Sequence, residues 1–409
     1  MIRLGNNDCN NIIFTVILML MISRKQSIPS KSFFLLGPRG TGKSTWLRAS
    51  FPHAKWFNLL RNAELLRLMQ EPELFRKEVE VLPKGSWIIA DEIQRYPELL
   101  NEVHDLLSSY PKGYYLFALT GSSARKLKRS GVNLMAGRAL QKKMFPFVSA
   151  EIGKAFSIEA ALKFGTLPEC WLCDNDQERI EFLESYLDTY LKEEIKEEAL
   201  VRKLEPFSRF LKIAALANGQ QTNMAGLARD AGVSRPTAQG YFEVLTDTLI
   251  GYWLPAWRPK AKIKETVHPK FYFFDPGVVR ALGSKIREHL SDTDRGVQLE
   301  TFLLNEIQAY ISYTGIGGNL SFWRTPHGSE IDLIFESASQ KTNKIGFEIK
   351  SSLRWKSEYA FPLNELLATG DLKSGYGVFL GENAQRCGQV DVMNVHSFLD
   401  LLWAGKILD

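Results

Sequence analysis

Eight consecutive residues, Gly37-Pro38-Arg39-Gly40-Thr41-Gly42-Lys43-Ser44, restrict this chain more than any other stretch, because they satisfy GxxxxGK[ST] without a mismatch. That pattern requires a strand before it and a helix after it. Residues 32–36 read as a short buried strand, and Thr45-Trp46-Leu47-Arg48-Ala49 open a helix. The glycines let the backbone curl so that successive N–H groups converge at a positive helix end, which suits a polyphosphate. Lys43 then reaches the β- and γ-phosphates, Ser44 offers its hydroxyl to Mg²⁺, and Gly37 to Thr45 together form the cradle expected for ATP. The alternative is a glycine-rich turn matching by chance, which the strand-loop-helix context disfavours.

At 409 residues the chain is too long for one core; at about 150 residues per domain, two or three are expected. A hydrophobic share of 45% and a charged share of 24% are those of an ordinary soluble globular protein. A net charge of +5 permits nucleic-acid contact without requiring it, since no long block of Lys or Arg occurs. Cys9, Cys170, Cys173 and Cys387 are too scattered for a disulfide framework, so a reducing, cytoplasmic setting is expected. Cys170 and Cys173 make a lone CxxC with no second ligand pair, and read as packing thiols. The apolar run over 12–22 falls short of the roughly 17 to 25 residues that span a bilayer, so no membrane partner is expected. It reads as a buried helix or strand, or as the product of a start placed upstream of the true one.

In a first domain over 24–155, 54–59 read as a second strand and 63–77 as a polar-faced helix. Ser86-Trp87-Ile88-Ile89-Ala90 then run into Asp91 and Glu92. A continuous apolar strand belongs to a sheet covered on both faces. The two acids therefore stand at its carboxyl end, where ligands of open α/β sheets bind. Asp91 suits Mg²⁺ through its water shell, and Glu92 suits orientation of an attacking water. Residues 114–119 form a further strand ending in Thr120-Gly121-Ser122-Ser123, whose Thr120 or Ser122 hydroxyl is placed to sense a γ-phosphate; such residues are also ordinary turn chemistry. Arg125, Lys126, Lys128, Arg129 and Gly137-Arg138 follow. Arg138 is the candidate to stabilise the transferring phosphoryl group, in cis or from a neighbour in a homo-oligomer, with a surface salt bridge as the other reading.

GPRGTGKST, WIIADEIQRYPEL, LTGSS, AGR and PF-SAE, in that order, resemble the prokaryotic AAA-type ATPases whose C-terminal half carries a domain of unknown function. The resemblance covers about residues 32–352 and is strongest in the first domain. It implies an AAA-like P-loop fold in which Lys43, Ser44, Asp91 and Glu92 take the phosphate, Mg²⁺ and water positions. The chain departs from that pattern at its N-terminus, where a short apolar run replaces a longer polar lead-in.

Over 156–285 a helical linker and a winged helix-turn-helix are expected. Leu183, Leu187, Leu191 and Ile195 make one apolar stripe, opposite the solvated Lys192, Glu193, Glu194, Lys196, Glu197 and Glu198. Helices over 207–217, 223–230 and 234–250 follow, with Gly232 in a turn, Ser234 as a cap and Pro236 in the first turn. Strand-like pieces at 252–254 and 271–274 flank Lys260, Lys262 and Lys264, a candidate wing. In a nucleic-acid reader, Arg235, Thr237 and Gln239 would enter the major groove; many such folds instead serve as protein contacts.

In the last segment, 286–409, a helix beginning at Gln298-Leu299-Glu300 precedes strands over 320–324, 331–335 and 344–350. Glu348 and Lys350 stand two apart and share a face. Asp332 followed by Glu348-Ile349-Lys350, with Glu300 as an added helix acid and Glu330 nearby, resembles the PD-(D/E)xK restriction-endonuclease-like fold. The resemblance implies Asp332 and Glu348 as metal ligands and Lys350 beside an attacking hydroxide; the bland reading is a half-buried strand with charged outer positions. The fold class is thus α/β throughout: P-loop AAA-type ATPase, winged helix and nuclease-like domain. Two functions remain, an ATPase working on DNA or RNA, and an ATP-driven protein-binding switch with a silent C-terminal domain.

Overall fold

Residues Phe33-Phe34-Leu35-Leu36 are all buried, yet they serve two different cores. Successive side chains of a strand point to opposite faces. Phe34 and Leu36 pack with Phe57, Phe75, Ile88, Ala90, Val103 and Phe117. Phe33 and Leu35 pack with Trp46, Leu47, Phe51, Ile89 and Met144. This is the continuous apolar pattern of a parallel strand covered on both faces.

The computed structural model describes residues 22–122, 138–191, 204–258, 268–340 and 342–408, with backbone alone at 190–191. The apolar run up to residue 21, Ser123, the cations Arg125, Lys126, Lys128 and Arg129, Gly137, the charged face from Lys192 to Glu198 with Ile195, and Lys260, Lys262 and Lys264 lie outside the described residues. The chain divides into two compact units. The first ends at Phe147 and takes in Leu167–Leu172 and Asp247–Ile250; the second comprises Val148–Thr166, Cys173–Thr246 and the chain from Gly251 onward.

In the first unit, strands β1 (Phe33–Leu36), β2 (Lys55–Asn58), β3 (Ser86–Asp91), β4 (Tyr115–Gly121) and β5 (Leu140–Lys143) form a sheet in the order β2-β3-β4-β1-β5. Every pairing is parallel. The carboxyl ends of β1, β3 and β4 therefore stand side by side. The helix expected over 63–77 is two helices, Asn62–Gln70 and Glu73–Glu80. Pro72 between them lacks the N–H that a continuous helix needs.

The second unit contains helices Leu204–Leu216, Met224–Asp230 and Arg235–Asp247, followed by the antiparallel pair β6 (Gly251–Leu254) and β7 (Lys270–Phe273). Asn223 caps the middle helix, its side chain accepting from Gly226 N–H at 3.1 Å. Ser234 Oγ accepts from Thr237 N–H at 3.2 Å, as its place before a helix requires. Upstream, the stripe expected on one long helix runs through Asp176–Ser185 and then a π-helical turn, Tyr186–Leu191.

A mixed sheet completes the unit: β8 (Gly318–Arg324), β9 (Glu330–Ser337), β10 (Lys344–Lys350), β11 (Ser374–Phe379), β12 (Gln385–Cys387) and β13 (Val390–Asn394), in the order β12-β13-β11-β10-β9-β8. The Asp292–Thr314 helix packs against it. Among the described residues no helix is long and apolar enough to cross a membrane.

Candidate functional site

The loop after β1 is shaped by two glycines at positive φ, Gly40 at 80° and Gly42 at 84°, where side chains are disfavoured. Lys43 opens the Lys43–Ser50 helix and is buried. Its ammonium donates to the carbonyls of Gly37 at 2.7 Å and Pro38 at 3.0 Å, folding back over the loop. Thr41 Oγ1 donates to the Pro38 carbonyl at 2.8 Å, tightening the same curl. Arg24, which the sequence does not mark, donates to Thr41 O and to Phe145 O, each at 2.7 Å, and so ties the loop to the segment after β5.

Asp91 ends β3, and parallel pairing brings it beside the loop. Ser44 Oγ donates to Asp91 Oδ1 at 2.9 Å, and Thr120 Oγ1 donates to the same oxygen at 2.6 Å. The Glu92 N–H in turn donates to Thr120 Oγ1 at 2.9 Å. The Thr120 hydroxyl is thereby engaged with both acids. Glu92 itself adopts φ 61°, a left-handed conformation uncommon for a residue with a side chain. Gln94 Nε2 donates to the Glu92 carboxylate and, at 3.0 Å, to Ser122 Oγ. Gln94 lies within WIIADEIQRYPEL, but only the 3₁₀ turn Ile93–Arg95 turns it back toward Glu92.

Arg138 is not brought to this loop. It precedes β5, whose first residue Leu140 pairs with Phe33 at the start of β1, so it lies at the amino-terminal edge of the sheet. There its guanidinium meets His104 Nε2 at 2.8 Å and Ser108 Oγ. Parallel strand direction places the phosphate loop at the opposite end of β1.

Of the four residues singled out in the C-terminal segment, Asp332, Glu348 and Lys350 lie in contact, while Glu300 contacts neighbours of its own. Lys350 Nζ contacts the Glu348 carboxylate and lies 3.5 Å from Asp332 Oδ2. The Ile349 N–H donates to Asp332 Oδ2 at 2.7 Å, which fixes that carboxylate against β10. Glu300, from the Asp292–Thr314 helix, meets two residues that sequence reasoning missed. Lys270 Nζ stands 3.0 Å from Glu300 Oε1 and 2.7 Å from Glu330 Oε1, and Tyr272 Oη donates to Glu300. Both come from β7, whose local pattern carries no sign of these distant acids.

Burial drives the Glu348 carboxyl well above the ordinary value, and the Asp332 charge adds to the effect. Burial also raises Glu300, with Lys270 opposing and Asp332 reinforcing the shift. For Lys270 and Lys350 burial acts downward, but the surrounding carboxylates outweigh it and hold both ammoniums charged. Glu348 Oε2 has no hydrogen-bond partner among the described residues, although the residue is only 6% exposed. No three His, Cys, Asp or Glu side chains among the described residues are arranged to hold a metal ion as they stand. Lysine ammoniums stand against these carboxylates instead. Arg235, Thr237 and Gln239, expected as groove-facing residues, are all exposed.

The parallel sheet, the curled loop and the acid pair at adjoining strand ends define a P-loop nucleotide-binding fold. Residues 29–153 match the family described as AAA domain, so the chain carries an AAA-type P-loop ATPase domain. Residues 156–290 match Domain of unknown function (DUF8612), and residues 295–398 match Domain of unknown function (DUF4143). The uncharacterized protein Rv2008c of Mycobacterium tuberculosis is 27% identical over 321 residues, covering 77% of this chain and 69% of the relative. Mb2031c of Mycobacterium bovis, also uncharacterized, gives the same values: 27% over 321 residues, 77% and 69%. Among solved structures, the ORC2 protein of Aeropyrum pernix, in ADPNP and ADP complexes, shares 12% identity over 68% of this chain and 92% of its own, with a TM-score of 0.35. The RuvB Holliday junction branch migration motor of Thermotoga maritima shares 16% over 61% of this chain and 90% of its own, with a TM-score of 0.29. At scores this low, nothing below is built on either likeness.

Proposed function

We propose that the chain is a Mg²⁺-dependent ATPase in which Lys43 holds the phosphates, Ser44 and Asp91 hold the metal ion, and Glu92 orients the attacking water. The supporting observation is the relay from Ser44 Oγ through Asp91 Oδ1 and Thr120 Oγ1 to the Glu92 N–H. It joins the phosphate loop to both acids through three direct hydrogen bonds. A hydroxyl and a carboxylate are hard oxygen donors of the kind Mg²⁺ takes, and the curled loop offers N–H groups to an anion, so the residues fit both groups. When bound, the metal ion neutralises charge on the β- and γ-oxygens. Gln94 and the left-handed backbone hold Glu92 where it can accept a proton from water.

Phosphate release by purified protein tests this reading. Lys43→Ala abolishes it, while Glu92→Gln lowers it by roughly 10²-fold or more and retains ATP binding. A wild-type rate no faster than that of Lys43→Ala ends the proposal. Arg138, exposed at the far sheet edge, is assigned to a neighbouring copy's phosphate in a homo-oligomer; an Arg138→Ala protein of unchanged rate removes that role.

A second reading is favoured by the contact of Lys350 with Asp332 and Glu348, with Glu348 Oε2 left unsatisfied among the described residues. In it, Asp332 and Glu348 hold a divalent ion, Lys350 neighbours the attacking hydroxide, and the three-helix segment with its hairpin acts as a winged helix presenting DNA or RNA. Incubation of DNA and RNA with Mn²⁺ tests it. Cleavage lost in both Asp332→Ala and Lys350→Ala supports the reading. Absence of cleavage on every substrate favours an ATP-driven protein-binding switch with a silent C-terminal domain.

A further inference from the structure

Beside the phosphate loop the first unit contains a cavity of about 410 Å³, lined by Arg24, Gln26, Thr45, Trp46, Phe147 and Pro168 among others. Its walls are mostly flat or apolar. Trp46 and Phe147 present rings, Pro168 a saturated ring, and the Arg24 guanidinium lies 5.1 Å from the Phe147 ring centroid. Gly42 and Thr45 place the cavity directly against the start of the Lys43–Ser50 helix. A planar group linked to a phosphate in the loop would enter here.

Of the polar side chains in this wall, Gln26 brings an acceptor to the cavity whose hydrogen bond the fold leaves unmade among the described residues. Gln26 is 4% exposed. Its Nε2 donates to the Ser27 carbonyl at 3.1 Å, which fixes the orientation of the amide. Its Oε1 has no hydrogen-bond partner among the described residues. A buried carbonyl oxygen without a donor costs free energy, and native structures seldom leave one without a reason.

We infer that Gln26 is the residue that selects the nucleobase, its Oε1 accepting a hydrogen bond from the exocyclic amino group of adenine. The inference rests on the ATPase reading above and goes further by naming how the base is chosen. An amino group at the 6-position brings a donor to an acceptor that has none. A 6-oxo purine, as in guanine or hypoxanthine, brings a second acceptor to the same place, leaving two buried oxygens facing each other. The penalty of an unmade bond in a buried site exceeds the gain of a made one, so discrimination comes chiefly from rejecting the oxo bases.

Calorimetric titration with ATP, ITP and inorganic tripolyphosphate in the presence of Mg²⁺ reads this out. ITP carries a 6-oxo group, and with it a proton on N1, where ATP carries a 6-amino group and a bare N1; tripolyphosphate has no base at all. Wild-type protein binds ATP at least about tenfold more tightly than ITP, the ratio expected from one buried hydrogen bond. In Gln26→Met, which keeps the length and removes the acceptor, the ratio falls to within about threefold, while tripolyphosphate binds as it does to wild type. Should that variant fail to fold, Gln26→Asn withdraws the amide by one carbon and shows the same collapse of the ratio. Equal wild-type affinity for ATP and ITP, or an undiminished ratio in the variants, overturns the role of Gln26 and leaves the ATPase reading standing. Failure of wild-type protein to bind any of the three overturns both.

Discussion

At the scale of single residues, two carboxylates are held in unusual circumstances for different reasons. Glu92 occupies a left-handed backbone conformation beside a pre-formed hydrogen-bond relay, and backbone conformations of that cost gather where function holds them. Glu306 has no part in the proposed chemistry. It accepts from Ser149 N–H at 2.6 Å, Ser149 Oγ at 3.1 Å and Trp403 Nε1 at 2.7 Å, anchoring the start of the second unit to the Asp292–Thr314 helix. Burial raises its pKa from the ordinary 4.5 to about 7. A raised folded-state value means that the folded protein binds more protons than the unfolded one between these limits. The contribution of Glu306 is therefore complete below pH 4.5 and is lost as pH rises through 7, a difference on the order of 3 kcal/mol. Urea unfolding between pH 5 and 8 is expected to show stability falling with pH, and Glu306→Gln is expected to flatten that slope. A slope unchanged by the substitution would assign the pH dependence to other groups.

At the scale of elements, the phosphate loop depends on how closely β1 and the segment after β5 approach. A side chain added at Gly37 would place its Cβ 2.3 Å from the Met144 carbonyl oxygen, a backbone atom that cannot turn aside. Gly37→Ala is expected to cost about 1 to 3 kcal/mol, read as a lower urea midpoint; an unchanged midpoint would contradict the tight packing. Much of this element structure was legible in the sequence. The phosphate loop, the apolar strand leading to Asp91 and the strand over 344–350 follow local patterns, and the cap at Ser234 follows from its hydroxyl. The elements that escaped lack such patterns. β5, Leu-Gln-Lys-Lys, is largely exposed and has no apolar alternation, so only pairing with β1 makes it a strand. The break at Pro72 was visible in the residue but was overridden by the helical run around it. Lys270 and Tyr272 reach Glu300 through tertiary folding, which no local spacing encodes.

At the scale of the whole molecule, the chain leaves the first unit at Phe147 and returns to it at Leu167–Leu172 and Asp247–Ile250. Pro168, which lines the cavity beside the phosphate loop, belongs to one of these returning segments. A nucleotide seated there would touch this returning segment. Everything in this account nevertheless rests on a triphosphate occupying the loop. Direct titration of the full chain with ATP and Mg²⁺, followed by calorimetry, tests that most simply. Saturable one-site heat in the wild type, absent in Lys43→Ala, is the predicted result; no heat in the wild type, or equal heat in both proteins, would contradict it.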